Sequence, residues 1–222
     1  MDIIQNMIAR PKWWAVIVLA VVLVCAAAIA LPAVRRSILR FAGWALVVNE
    51  RVEPTDVIVL SVDTDGAGVL EAADLVDTGV ATRVAVFADL PNAAHQEFIR
   101  RGISYDDEAD RSIRQLSALG IETVERIPKS VAGTEDEGLV LADWCDRHRF
   151  NSVIVVVTSD HSRRLRRILH RSLKGHQTSI IVHPARYCNF DPDEWWKTRG
   201  GIRTEIEELE KLLLDMVRHP IS

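Results

Sequence analysis

The sequence predicts an α/β fold: a three-layer, Rossmann-like domain with a parallel sheet of about five strands, preceded by one N-terminal transmembrane helix. Three observations carry this expectation. Near-continuous Val/Ile runs at Asp56–Val62 and Ser152–Ser159 are what strands covered on both faces require. Strand-like runs alternate with segments of helical apolar spacing, which is the pattern of βαβ units. Trp13–Val34 is apolar at every position but Pro32 and carries no charge. At 1.5 Å per residue that run is roughly 33 Å long, enough to cross a hydrocarbon core.

Along the chain this gives a short tail over 1–12, a transmembrane helix over 13–34, an amphipathic juxtamembrane segment over 35–52 and the α/β domain over 53–218. Trp13 and Trp14 stand where an interfacial aromatic belt belongs, flanked by Arg10 and Lys12 before the span and Arg35, Arg36 and Arg40 after it. Ala26-Ala27-Ala28 and Ala30-Leu31-Pro32 offer small-residue cleavage sites. The length of the apolar run nevertheless favours an uncleaved anchor over a signal peptide. The basic residues on the two sides nearly balance, so charge alone leaves the orientation open. Arg35–Val48 suits either the headgroup layer or the surface of the domain.

Composition narrows the function classes. The 222 residues are 48% apolar with net charge −4, which excludes a disordered chain, a collagen-like repeat and a disulfide scaffold. Asp and Glu number 31 against 27 Lys and Arg, so nucleic acid is not an expected partner. The charge is unevenly divided: Arg10, Lys12, Arg35 and Arg36 against Asp2 give +3 in residues 1–36, leaving −7 for the rest. Cys25 falls in the span, and whether Cys145 and Cys188 meet is left open.

Within the domain, strands are expected at Asp56–Val62, Arg83–Ala88, Glu122–Ile127, Ser152–Ser159 and Ser179–His183. Helices are expected at Val69–Thr78, Asp107–Leu119, Thr134–Arg149, Ser162–Leu173 and Ile202–Arg218, with Gly79, Gly120 and Gly175 just past helix ends. Pro91–Tyr105 reads as the longest irregular stretch. Ligands of such folds bind beyond the carboxyl ends of the strands, which singles out three turns.

The turn after the fourth strand, Thr158-Ser159-Asp160-His161-Ser162, is the richest. It brings hydroxyls, a carboxylate and an imidazole to a helix N-terminus, where free N–H groups and the dipole favour an anion. Arg163, Arg164, Arg166 and Arg167 follow, and one of them is expected to turn back toward the charge. After the third strand, Thr134 with Glu137 fits a capping box, leaving Glu135 to reach a ligand hydroxyl or a metal. After the first strand, Asp63 and Asp65 sit as the acids of a magnesium-dependent phosphatase would, but no later acid pair completes that set. No dinucleotide, Walker, nucleophile-elbow or zinc-ligand spacing occurs, so no metal is assigned.

The same turns resemble those of the YdcF/SanA/ElyC family (domain of unknown function 218). Glu53–Leu60 is similar to that family's opening strand, and Leu70–Leu75 with Gly79 to its first helix. Gly133–Glu137 resembles its S-x-n-T-x-e-E stretch, Val157–Arg164 its V-T-s-x-y-H-x-x-R turn, and Glu205–Leu214 its closing E-x-x-K helix. The family's glycine-rich turn after the first strand is replaced here by Ser61–Gly66, and its S-G-G after the second by Phe87–Asn92. The resemblance implies a Rossmann-like domain, often behind an N-terminal anchor at the outer, periplasmic face of the bacterial inner membrane. It also implies a part in cell-envelope (peptidoglycan or polysaccharide) maintenance, with no reaction established for the family. S-adenosylmethionine comes forward as a cofactor by this resemblance alone; the residues themselves name none.

The expected activity is therefore binding of an anionic small molecule or lipid-linked envelope precursor, with transferase or hydrolase chemistry as the extension. Thr158, Ser159, Asp160, Arg164, Thr134, Asp63 and Asp65 are the expected ligand contacts, and His161 and Glu135 the catalytic groups. The alternatives are a non-catalytic envelope integrity factor acting through protein partners and a magnesium-dependent phosphatase.

Overall fold

The computed structural model describes residues 13, 16–21, 31–62 and 64–220. The chain forms two compact units, Met1–Ala42 and Gly43–Ser222. In the first, residues 16–21 are helical and expose Val16, Ile17, Val18, Leu19 and Val21. Helix α1 (Pro32–Leu46) begins there, with proline at the first helical position where no N–H is needed. Among the described residues no helix is long and apolar enough to cross a membrane. Much of the expected span, residues 14, 15 and 22–30, lies outside those described.

The second unit runs β1 (Val57–Leu60), α2 (Asp65–Asp77), β2 (Val84–Val86), α3 (Ala93–Arg100), α4 (Glu108–Ala118), β3 (Val124–Arg126), α5 (Thr134–His148), β4 (Ser152–Val157), α6 (Ser162–Ser172), β5 (Ser179–Pro184), a 3₁₀ turn at Trp195–Lys197 and α7 (Arg199–Arg218). The five strands are all parallel in the order β3-β2-β1-β4-β5. Their period-two alternation divides the core. Ile58, Leu60, Val84, Val86, Ile154 and Val156 meet α2 and α4 on one face. Val57, Val59, Ala85, Val153, Val155 and Val157 meet α5 and α6, with Trp144 and Leu165, on the other. The result is the expected three-layer, Rossmann-like sheet.

Differences from expectation are local. The stretch read as irregular contains α3, an exposed helix whose start is set by the Asn92 side chain accepting from the His95 N–H at 3.0 Å. Pro91-Asn92 reads equally as a turn, and no buried stripe marks the helix. The Thr134/Glu137 capping box does not form: Gly133 is the N-cap and no side chain caps it. Instead Asp136 accepts from the Ala132 N–H at 3.1 Å. Gly79, Gly120 and Gly175 do follow helix ends, at φ 78°, 85° and 95°. Cys145 and Cys188 are free thiols.

A smaller third cluster, Leu46, Val47, Phe190 and Leu212, decides how the segment before β1 is held. The end of α1 therefore packs on the domain rather than leaving it. A Cβ at Gly43 would stand 2.4 Å from the Pro192 carbonyl oxygen, so only glycine fits there. The Val48 N–H donates to Ser162 Oγ at 2.9 Å, and Arg163 Nη2 to the Val47 carbonyl at 2.7 Å. Glu50 accepts from the N–H of Val182 on edge strand β5 at 2.7 Å, which occupies an edge donor.

One buried carboxylate fastens the far end of the sheet. Glu71 on α2 accepts from His183 Nε2 at 2.9 Å and from the Arg186 backbone N–H at 2.9 Å and its Nε at 3.0 Å. Burial alone would raise its pKa, but these bonds outweigh it and hold the carboxyl at about 2. The folded pKa lies below the ordinary 4.5, so this stabilisation is complete above that pH and is lost as pH falls toward 2. Glu71→Gln is expected to lower unfolding free energy by about 2–4 kcal/mol at neutral pH, with the difference shrinking below about pH 4.5. Urea denaturation of both proteins across pH measures this.

Candidate functional site

β4 delivers Thr158–His161 to the carboxyl edge of the sheet, and α6 starts at once, with His161 as its N-cap residue. α7 lies against this start. Its inward face is mostly acidic: Glu205, Glu208, Leu212 and Asp215 are the buried positions, one stripe at helical spacing. α6 answers with basic residues, so the two helices meet through charges as much as through apolar side chains.

Glu208 is the centre of this contact. It accepts from His161 Nδ1 at 3.1 Å, Arg164 Nε at 3.1 Å and Lys211 Nζ at 2.6 Å. Burial would raise its carboxyl, but the bonds from His161, Lys211 and Arg164 hold it far below the ordinary carboxylate range. A carboxylate accepting at Nδ1 fixes the proton of the neutral imidazole there and leaves the Nε2 lone pair outward. Nε2 stands 3.4 Å from Thr134 Oγ1, which also accepts from Arg164 Nη1 at 3.3 Å. Hydroxyl, imidazole and carboxylate are thus in line.

His161, Arg164, Glu208 and Lys211 border a cavity of about 640 Å³. Thr158, Asp160, His161 and Arg164 line it from the start of α6, Cys188 and Phe190 from the loop after β5, Thr198, Gly201 and Thr204 from the start of α7, and Lys211 from farther along α7. Two helix N-termini therefore open on one space, along with two cationic side chains. The Thr198 hydroxyl accepts from the Gly201 N–H at 2.9 Å and caps α7. A Cβ at Gly201 would lie 2.3 Å from the Trp195 carbonyl oxygen, so glycine lets α7 approach this close.

The structure sorts the residues singled out from sequence. Thr158, Asp160, His161 and Arg164 line the cavity, and Thr134 touches two of them. Ser159 does not: in the turn after β4 it points inward, 7% exposed, where Oγ meets Cys188 Sγ at 2.9 Å and donates to the Phe190 carbonyl at 3.2 Å. It fastens the loop rather than a ligand. Glu135 also leaves the site, because consecutive helical residues diverge. It pairs with Arg171 Nη2 at 2.8 Å. Asp65, the exposed first residue of α2 with φ 47°, is not among the cavity's lining residues, and Asp63 lies outside the described residues.

The anion cradle is leaner in backbone donors than expected. The His161 and Ser162 N–H groups bond the Thr158 and Ser159 carbonyls at 3.2 and 3.3 Å. Of the four arginines only Arg164 reaches the cavity; Arg163, Arg166 and Arg167 go to Val47, Glu50 and Asp215. Burial pushes the Asp160 carboxyl upward, with Glu208 adding to the effect. Sequence reasoning missed Glu208, Lys211, Glu205 and Cys188 as site residues. The available signal was acids recurring at helical spacing on the same side as Leu212, where an amphipathic helix should be apolar.

Glu135, Asp215 and His219 also come within metal-ligand spacing of one another. Arg171 already donates to both carboxylates and Arg167 to Asp215, so cationic side chains hold these oxygens. No family model, curated protein or solved structure matches this chain.

Removing Glu208 strands His161 and Arg164 in a buried setting. Glu208→Ala is expected to cost about 3–5 kcal/mol of stability. A double-mutant cycle with Arg164→Ala should give a coupling of about 1–3 kcal/mol, read by chemical denaturation of the four proteins.

Proposed function

We propose that this chain is a single-pass, membrane-anchored protein of the YdcF/SanA/ElyC type whose domain binds an anionic small molecule or lipid-linked envelope precursor. The observation that carries the reading is the cavity where Arg164, Lys211 and His161 converge with the N-termini of α6 and α7. An anion of phosphate or carboxylate type would meet Arg164 and Lys211, with the Thr158 hydroxyl as a further donor. Glu208 keeps His161 oriented, so its Nε2 accepts or donates one proton at the bound group.

If a bond is broken there, Thr134, His161 and Glu208 stand in the order hydroxyl, base, orienting carboxylate. That set suits transfer or hydrolysis at a phosphate-bearing or glycan substrate. The anchor rests on the uncharged apolar run over Trp13–Val34 and the exposed apolar residues at 16–21. The inner bacterial membrane, a domain on its outer face and a role in envelope maintenance follow from the resemblance.

Titration of inorganic phosphate and of a short-chain polyprenyl phosphate into the full chain in detergent micelles tests the reading. Arg164→Lys and His161→Ala should each weaken binding at least about tenfold, or about 1.4 kcal/mol, under conditions where circular dichroism shows each variant folded. Undiminished affinity in a Thr158→Ala/His161→Ala double variant would overturn it. Paired reporter fusions after Ser222, one active outside the membrane and one inside, should light only the outside reporter.

A further inference from the structure

Three acids face the domain from α7, and two of them are fully partnered. Glu208 meets His161, Arg164 and Lys211; Asp215 meets Arg167 and Arg171. The third, Glu205, is 2% exposed, and neither of its carboxyl oxygens has a hydrogen-bond partner. Ionised, it lacks donors; protonated, it lacks an acceptor. Either state is costly in a buried position.

Its surroundings make the gap specific. Gly201 and Glu208, four residues before and three after Glu205 on the same side of α7, line the cavity, as does its chain neighbour Thr204. The charged group that bears on Glu205 is Asp160, another acid, and burial together with Asp160 raises the Glu205 carboxyl to about 7. Asp160 itself is on the cavity wall. The cavity wall therefore carries two cations, Arg164 and Lys211, and the acid Asp160, while Glu205 lies buried behind the part of that wall formed by Gly201, Thr204 and Glu208.

We infer that the ligand of this cavity is a zwitterion: its anionic group meets Arg164 and Lys211, and an ammonium group meets Asp160, where its charge also offsets the buried Glu205 carboxyl behind the wall. The inference rests on the anion-binding reading above and adds the second half of the ligand. An ammonium brings three N–H donors and one positive charge, which is what these two acids lack. A metal ion suits the pair less well, since metal sites gather three or more converging ligands. Among the described residues, the cluster of His, Cys or acidic groups with that spacing is Glu135, Asp215 and His219, away from this pair.

The test compares O-phosphoethanolamine with ethyl phosphate, the same anion without the amine, by calorimetric titration of the full chain in detergent at pH 8. Wild type should favour the amine at least about tenfold. Glu205→Gln, which keeps the side-chain volume, should bring that ratio close to one while leaving ethyl phosphate affinity within about twofold. Asp160→Asn should likewise bring the amine preference close to one, and that ratio serves alone if Glu205→Gln fails to fold. Equal affinities in wild type, or a preference undiminished in both variants, would overturn the inference. So would a magnesium- or zinc-dependent gain in ethyl phosphate binding that Glu205→Gln abolishes, which would make the pair a metal site. If neither probe's binding responds to Arg164→Lys, the anion site itself fails and this inference falls with it.

Discussion

The contact between α6 and α7 is the constraint on which the site depends. α7 presents acids where a surface helix ordinarily presents a hydrophobic stripe, and Leu212 is its single fully buried apolar residue. Its seating relies on Glu208 and Asp215 finding His161, Arg164, Arg167 and Arg171. Buried ion pairs add little net stability over well-packed apolar residues, but an unmatched charge is strongly penalised. The pairing therefore acts on register: sliding α7 by one turn would strand several charges at once. That register places Gly201, Thr204, Glu208 and Lys211 on the cavity and orients His161.

The same constraint moves the site within the sheet. Folds of this order bind ligands where the strand order reverses, here between β1 and β4. α7 and the loop after β5 instead enclose space beside β4 and β5. The turn after β3 still contributes, because α5 crosses back to the β4 side and brings Thr134 with it. Asp65, in the turn after β1, contributes no wall to the cavity. The cavity thus lies against the C-terminal helix rather than in the crevice that the topology supplies.

Most of the sheet was readable because buried parallel strands leave unbroken Val/Ile runs, and helix ends leave glycines in positive φ. α3 was not, since a short exposed helix bears no apolar stripe and its Asn92 cap reads as a turn. The expected capping box failed because Arg164 and His161 engage the Thr134 hydroxyl from another part of the chain. Within the site, Thr158, Asp160, His161 and Arg164 were legible from their turn-and-helix context. Ser159, between them, differs because the loop after β5 brings Cys188 and the Phe190 carbonyl to its hydroxyl, contacts 29 and 31 residues away in the chain.

The sequence by itself determined the layers, the parallel sheet, the apolar run ahead of the domain and the turn that carries His161. These depend on local periodicity and on residue types at chain positions, which travel with the sequence. The tertiary structure alone decided which of four arginines enters the cavity, that Glu135 leaves it, and that Glu208 orients the imidazole from 47 residues away. It also decided that Glu205 is left without a partner. Charge pairing between distant segments depends on helix register and side-chain direction, and neither is written in the spacing of residues along one helix.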